Sequence, residues 1–212
     1  MLARSLKATV LDGKLQVVAS RSVHFDSELP QYKTRGGVQR WTSSSSVTAP
    51  VLMWVEALEL LLDKMKADRF PFGSVAAVSG SGQQHGSVYW RRGSAISALQ
   101  GLQPAHSLSS QLAHAFSLTD SPVWMDSSTT SQCRAIEASA AVGGAAALSH
   151  ITGSRAYERF TGPQIRKLYE QQKEVYDETE RISLVSSFMA SLLVGDYVSI
   201  DHSDGAGMNL MD

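Results

Sequence analysis

The chain has 212 residues and a formal net charge of -1, with 19 Lys and Arg residues against 20 Asp and Glu residues. This balance offers no basic patch for a nucleic-acid partner, and a hydrophobic content of 43% is enough to build a sizeable core. The only cysteine, Cys133, excludes an intramolecular disulfide and a cysteine-rich zinc site, which favours a cytoplasmic location, and no apolar stretch is long enough to predict a membrane span.

The N-terminal region is predicted to open with a β-hairpin. Residues 6–10 and 15–23 are β-prone runs, and Asp12-Gly13 between them is among the strongest short hairpin signals. A sheet that begins with a hairpin usually has a strand before it, and residues 1–4 are too few to supply one. We therefore expect the first strand of the sheet to be missing.

Residues 47–66 carry the clearest helical pattern in the chain. Their apolar side chains recur at helical spacing, the charged side chains fall on the other side, and Pro50 fits a first turn. The apolar stripe should pack on a sheet. Trp54 lies on this stripe, so we interpret it as a core residue rather than a ligand contact.

The stretch at 74–90, SVAAVSGSGQQHGSVYW, is the main candidate for a functional site. Residues 75–78 form a short apolar run followed by glycines, which predicts a buried strand that ends in a tight bend. Gln84 and His85 would then lie beyond a strand end, where ligands bind in open α/β sheets. Amide and imidazole groups without fixed charge suit a polyol or sugar better than a phosphate.

The glycines and His85 of this stretch each have an alternative interpretation. Gly80, Gly82 and Gly86 resemble a dinucleotide-binding fingerprint, but the last gap is one residue too long. Residues 87–90 also predict a strand where that fingerprint needs a helix, so we reject it. The simpler alternative for His85 is a hydrogen-bonded turn residue without a ligand.

A similar design recurs at 122–126, an apolar strand that ends in polar residues, with a helix predicted from there to about residue 142. Asp126 is open to two interpretations, as the N-cap of this helix or as a residue at a ligand crevice. Further patterns predict four helices, at 108–116, at 145–150 ending near Gly153, at 164–176 and at 184–194. The third of these has Ile165, Leu168 and Tyr169 on its buried side, and the fourth is buried. A strand is predicted at 197–200 and an acidic, glycine-rich turn at 201–207. The loop at 154–163 mixes aromatic residues with arginines, whose rigid fork grips hydroxyl oxygens well.

The order of elements is that of an actin-like or ribonuclease-H-like α/β domain, with a mixed sheet and flanking helices. Five segments occur in order, GSGQQHGSVYW, PVWMDSSTTSQC, ITGSRAYERFTGPQIRKLY, ERISLVSSFMASLLVG and IDHSDGAGMNL. Together they resemble the N-terminal half of the xylulokinase-type members of the FGGY family of carbohydrate kinases. The resemblance covers nearly the whole chain from about residue 6.

The resemblance implies transfer of phosphate from ATP, with Mg²⁺, to D-xylulose. It implies that His85, with Gln84 beside it, and Arg159 contact the sugar. Asp126 would lie near the substrate or shape its pocket. The general-base Asp of the family and most of its ATP pocket belong to a C-terminal nucleotide-binding domain, so no catalytic residue is implied in this chain. We accordingly expect 1–212 to be the sugar-binding domain, truncated at both ends.

Three hypotheses follow. The chain is an incomplete sugar kinase that is inactive alone, because phosphoryl transfer also needs the phosphate-binding groups of the other lobe. Alternatively it is a non-catalytic sugar-binding or regulatory fragment, or a chain that cannot fold because an unpaired sheet edge favours association. The sequence contains no Gly-x-Ser-x-Gly elbow, no His-Glu-x-x-His motif and no Walker sequence. No motif therefore points to another catalytic class.

Overall fold

In this computed structural model the chain is described over residues 4–41, 44–139 and 141–211. The strands are β1 (Ser5–Leu11), β2 (Val17–His24), β3 (Gln39–Arg40), β4 (Val47–Pro50), β5 (Ser87–Arg91), β6 (Asp120–Pro122) and β7 (Thr179–Leu184). The α-helices are α1 (Phe25–Glu28), α2 (Val51–Ala67), α3 (Ala95–Gln100), α4 (Leu108–Gln111), α5 (Thr130–Glu137), α6 (Ala145–Thr152), α7 (Thr161–Gln171), α8 (Lys173–Asp177), α9 (Val185–Val194) and α10 (His202–Gly205). Single 3₁₀ turns cover Pro30–Tyr32, Phe72–Ser74 and Ala206–Met208.

The predicted N-terminal hairpin is confirmed. Strands β1 and β2 pair antiparallel, with Ser5 opposite His24. At the turn, the Asp12 carboxylate accepts the backbone N–H groups of Lys14 at 2.8 Å and Gln16 at 2.9 Å. An aspartate that satisfies nearby backbone donors is the usual stabiliser of such a turn.

The described strands form three small sheets rather than the single mixed sheet that we expected. Strand β4 lies between β3 and β6, β5 pairs with β7, and every pair is antiparallel. The difference arises at residues 75–78, where the prediction of a buried strand is wrong. Val75 is 41% exposed and Val78 is 70% exposed. Within the described ranges no strand pairs with this segment, so its backbone groups and apolar side chains have no packed layer to join.

Helix α2 is the centre of the hydrophobic core. Its buried residues are Val51, Met53, Trp54, Val55, Ala57, Leu58, Leu61 and Met65. This confirms the predicted helix and the assignment of Trp54 to the core. The helix begins at Val51 rather than at residue 47, because residues 47–50 pair with β6 as strand β4.

An aromatic cluster joins β5, β7 and α9. The ring of Trp90 lies 5.4 Å from that of Phe188 and 5.1 Å from that of Phe116, and its indole N–H donates to Ser183 Oγ at 2.9 Å. Strand β5 is buried from Ser87 to Trp90. Because a strand follows the glycines, the rejection of a dinucleotide fingerprint is confirmed.

The C-terminal half agrees with the predictions in part. Helices α6 and α9 are confirmed, each ending at a glycine in the left-handed region, Gly153 and Gly195. The helix predicted at 164–176 is instead two helices, and Tyr169 is 48% exposed and meets the ring of Tyr176 edge to face, with ring centres 5.3 Å apart, so its predicted burial is wrong. Four other predictions differ from the structure. The helix predicted at 108–116 is the short α4, and the strand predicted at 122–126 is β6 at 120–122. Residues 197–200 form no strand, and α10 with a 3₁₀ turn is found where a turn was predicted at 201–207. None of the helices in the described ranges is both long and apolar enough to cross a membrane.

Candidate functional site

His85 lies in the turn that leads into β5. Its backbone is left-handed, with φ of 64°, and the Gly86 N–H donates to the Gln84 carbonyl at 2.8 Å. A residue other than glycine in this region costs about 1 kcal/mol, so the surrounding contacts must hold the turn. The imidazole is half-buried and lies 4.8 Å from the ring of Phe160, with an interplanar angle of 31°.

Arg159 lies near the same aromatic ring. Its guanidinium carbon is 5.7 Å from the ring centre of Phe160 and 5.3 Å from that of Tyr157. Arg159 is exposed, so its five N–H donors face solvent. The structure therefore brings together two of the predicted site residues, His85 and Arg159, around Phe160.

The acidic, glycine-rich segment near the C-terminus completes this cluster. A Cβ added at Gly207 would lie 3.2 Å from His85 Cε1, so the absence of a side chain lets the segment pass close to the imidazole. The short helix α10 ends at Gly205, four residues before Asn209, whose backbone is left-handed. Within α10, the Asp204 carboxylate accepts a hydrogen bond from the hydroxyl of Ser186. Sequence patterns alone left the role of this segment open.

The beginning of α9 holds the turn that carries His85. A Cβ added at Gly82 would lie 2.5 Å from the backbone nitrogen of Ser186 and 2.8 Å from the carbonyl carbon of Val185. This close backbone approach is possible only for glycine. The His85 turn, α9 and α10 are thus fixed to one another through Gly82, Ser186 and Asp204.

The charge state of His85 suits an uncharged polyol. Burial lowers the pKa of the imidazole, and the nearby Arg159 charge lowers it further, while a hydrogen bond to the Gly207 backbone and the Asp204 carboxylate oppose these effects. The net result is a pKa below the ordinary value, so His85 is neutral at pH 7. A neutral imidazole has one donor and one acceptor nitrogen, which matches a hydroxyl group.

Asp126 has a different environment. It is 2% exposed, and its carboxylate accepts hydrogen bonds from Ser46 Oγ (2.9 Å), Val47 N (2.9 Å), Ser128 N (3.0 Å), Ser128 Oγ (2.5 Å) and Gln164 Nε2 (2.7 Å). Burial alone would raise the pKa of this carboxyl, but the hydrogen bonds from Ser128, Gln164 and Val47 more than offset it, and the pKa lies below its usual range. The N-cap interpretation is wrong, because the N-cap of α5 is Thr129.

The position of Asp126 fits the alternative in which it shapes the pocket. A carboxylate has about four lone-pair sites, and here these are already occupied by protein donors. The Gln164 amide that donates to Asp126 also donates to the Glu158 carbonyl at 3.0 Å. Asp126 thus supports the loop of Arg159 from its buried side. Gln84, in contrast, is exposed beside His85.

Two further properties of the described residues are their cavities and their possible metal ligands. A cavity of about 330 Å³ lies between the hairpin and the end of α2, lined by residues such as Ala8, Val10, Met65 and Phe70, and it shares no residue with the His85 cluster. A smaller cavity of about 80 Å³ is lined by Gly82, Gln83 and Val185, next to the turn that carries His85. Within the described ranges, no group of three or more His, Cys, Asp or Glu side chains lies close enough together to hold a metal ion.

Phe160, Asp204, Ser186 and Gly207 are site residues that sequence reasoning missed. Phe160 follows Arg159 directly, so the aromatic residues next to that arginine were an available signal. The contacts of the other three residues join segments about 20 to 120 residues apart, and no local pattern reports such contacts.

Comparisons with known proteins find relatives along nearly the whole chain. Xylulose kinase 2 of Arabidopsis thaliana is 63% identical over 210 residues, which cover 99% of this chain and 37% of that protein. Xylulose kinase of Rattus norvegicus is 56% identical over 208 residues, which cover 98% of this chain and 38% of that protein. The chain thus spans little more than a third of the length of these relatives. No family model matches the sequence.

Solved structures share the fold. The xylulose kinase from Rhodospirillum rubrum aligns with a TM-score of 0.73 at 13% sequence identity, and the alignment covers 99% of this chain and 36% of that one. At this identity the likeness concerns the fold alone. It confirms the predicted α/β, actin-like fold class, although the sheet pairing in the described residues differs from the expected mixed sheet.

Proposed function

We propose that this chain, which is the N-terminal part of an FGGY-family xylulose kinase by its homology, binds D-xylulose as the sugar-binding lobe of an ATP-dependent kinase. The observation that carries the proposal is that His85 and Arg159 both lie against the ring of Phe160. Both residues belong to segments that the family resemblance implies at the sugar. Their proximity in the fold supports a common ligand.

The proposed roles follow from the chemistry of each side chain. The neutral imidazole of His85, whose ring N–H is directed to the Gly207 backbone, accepts a hydrogen bond from a sugar hydroxyl through its other nitrogen, and the Arg159 guanidinium donates to hydroxyl oxygens. Gln84 adds an exposed amide beside His85. Asp126 holds the pocket wall without touching the sugar.

The proposed reaction of the whole protein is transfer of a phosphoryl group from ATP to D-xylulose, giving D-xylulose 5-phosphate. We assign ATP, Mg²⁺ and the general base to a nucleotide-binding domain within the length that the relatives have beyond this chain. Residues 1–212 would then orient the sugar without presenting the phosphate, so we expect no turnover from the chain alone. A cytoplasmic location stays a prediction from the single cysteine.

The first test is calorimetric titration of the purified chain with D-xylulose, without nucleotide, after size-exclusion chromatography shows a discrete species. We expect saturable binding. His85→Ala and Arg159→Ala should each weaken it about tenfold, the loss of one good hydrogen bond to a polar ligand. Arg155→Ala is the matched control, because Arg155 also lies over Tyr157 but pairs with Glu137 at 3.3 Å. Unchanged affinity in both site variants would contradict the assignment.

A turnover assay separates the lobe from the non-catalytic alternative. ADP formation from ATP and D-xylulose by the chain alone would contradict the proposal that phosphate presentation resides elsewhere. Restored turnover on addition of the remaining part of a xylulose kinase would support a kinase lobe. Sugar binding without such restoration would favour the regulatory fragment.

A further inference from the structure

Two buried side chains donate hydrogen bonds to a single backbone carbonyl in the surface loop that carries Arg159. The Glu158 carbonyl accepts the Thr129 hydroxyl at 2.7 Å and the Gln164 amide at 3.0 Å. Thr129 is 0% exposed and Gln164 is 4% exposed. Loop carbonyls at a protein surface usually bond to water. This one is instead fixed by donors that come from the protein interior.

Both donors lie at the beginnings of helices. Thr129 is the N-cap of α5, and Gln164 lies in the first turn of α7. The Gln164 amide is itself oriented, because it also donates to the buried Asp126 carboxylate at 2.7 Å. The two hydrogen bonds therefore connect the Glu158 carbonyl to fixed points on two helices.

The Glu158 carbonyl belongs to the same planar peptide unit as the N–H of Arg159. Since the peptide bond is rigid, fixing this carbonyl restricts the direction in which the Arg159 side chain leaves the backbone. The Arg159 side chain has only ring contacts, with Tyr157 and Phe160, and no ion pair or hydrogen bond within the described ranges. Its position consequently depends on its backbone.

We propose that Thr129 and Gln164 are positioning residues of the sugar site, which hold the Glu158 carbonyl and thereby set where Arg159 presents its guanidinium. The inference rests on the proposed function, because the contact of Arg159 with the sugar is itself a proposal. Neither positioning residue touches the sugar. They act on affinity by keeping Arg159 in place before the ligand arrives.

The test compares valine and serine at position 129. Thr129→Val keeps the shape and removes the hydroxyl, whereas Thr129→Ser keeps the hydroxyl. In calorimetric titration of the full chain we expect Thr129→Val and Gln164→Met to weaken D-xylulose binding about fivefold to tenfold, and Thr129→Ser to stay near the unmodified chain. Thr130→Val is the matched control, because its hydroxyl donates to the Glu158 side chain at 3.1 Å and not to the carbonyl.

Amide hydrogen exchange provides a measurement that needs no sugar. The Phe160 N–H donates to Tyr157 at 3.0 Å and the Gln164 N–H to Phe160 at 3.2 Å, so both amides report on this loop. Thr129→Val should speed their exchange about tenfold while the amides of α2 keep their protection. Global loosening of α2 as well would indicate a merely structural role and overturn the inference.

The two measurements distinguish the possible failures. Equal sugar affinity in Thr129→Val and Thr129→Ser, in a chain that binds D-xylulose, would overturn the positioning role. A chain that binds no D-xylulose at all contradicts the proposed function, and exchange then decides the inference. Faster exchange confined to the loop in Thr129→Val would still support the hold on Arg159, and exchange equal to that of Thr129→Ser would overturn it.

Discussion

The regions around Asp126 and His85 are both polar and both contact the loop that carries Arg159, yet their hydrogen bonding differs. The Asp126 carboxylate is buried and its acceptor sites are occupied by protein donors. His85 is half-buried and has a ring contact, a backbone hydrogen bond and charged neighbours. A polar group with every site occupied holds structure, whereas one with a free site can bind a ligand. We therefore expect Asp126 to support the structure and His85 to be available to a ligand.

The largest expected effect comes from removing Asp126. Asp126→Ala should lower the free energy of unfolding by about 3 kcal/mol, because it leaves several buried donors, including the Val47 N–H and the Gln164 amide, without an acceptor. Urea denaturation measures this change. Asp201→Ala is the control, since Asp201 is exposed and caps α10 through Ser203, and it should lower the free energy of unfolding much less than Asp126→Ala does. Equal losses would contradict the comparison.

A substitution at Gly82 should damage the His85 region while leaving the surroundings of Asp126 intact. The new Cβ of Gly82→Ala would lie 2.5 Å from the backbone nitrogen of Ser186, so the turn must shift, at a cost of about 2 kcal/mol. D-Xylulose affinity should fall with stability. Gly80→Ala is the matched control, because a Cβ there meets nothing within 4 Å, and it should change stability by less than about 0.5 kcal/mol.

Acid should weaken the Asp126 region selectively. Because the folded-state pKa of Asp126 is depressed, its contribution to stability is present above the unfolded pKa of about 3.9 and is lost as the pH falls through the lower folded value. The difference in unfolding free energy between the unmodified chain and Asp126→Asn should therefore shrink as the pH falls below about 4. A difference that stays constant down to pH 2 would show that the charge of Asp126 contributes nothing.

The smallest expected effect is a change in the pKa of His85, followed by NMR of its imidazole. Asp204→Asn removes a negative charge and should lower this pKa further, while Arg159→Ala removes a positive charge and should raise it. Asp201→Asn should leave it unchanged. Shifts in the same direction for both variants would refute the arrangement of charges around His85.

Local signals in the sequence were enough for several elements. The hairpin follows from Asp12-Gly13, because the turn geometry and the hydrogen bonds of Asp12 lie within five residues. Helix α2 follows from a stripe of apolar residues whose spacing needs no distant information. The ends of α6 and α9 follow from glycines that take the left-handed conformation there.

Elements that depend on distant partners could not be predicted. Residues 75–78 and 87–90 are both short apolar runs, but among the residues that the structure describes only the second has a partner strand, β7, which lies some 90 residues along the chain. Propensity does not distinguish the two runs, because pairing and packing decide strand formation. For the same reason the sequence could not show that the donors to Asp126 come from both Val47 and Gln164.

The site was predicted in outline, and its interpretation came from resemblance rather than from residue pattern. His85, Gln84 and Arg159 remain proposed sugar contacts, now with a geometry in which His85 and Arg159 share Phe160. The contact between positions 85 and 160 spans 75 residues and has no sequence signature. What the sequence did supply was the residue types, which already favoured a polyol over a phosphate.

The segment that leads to His85 has a consequence for proteolysis. Residues 71–81 are exposed, and residues 76–82 make no backbone hydrogen bonds within the described ranges. Proteases bind their substrates as extended chains, so a segment of this kind can enter a protease active site without prior unfolding. We expect proteolytic cleavage to begin in this segment. Because the segment is continuous with the His85 turn, a bound sugar should lower the rate of cleavage there without contacting the cleaved residues.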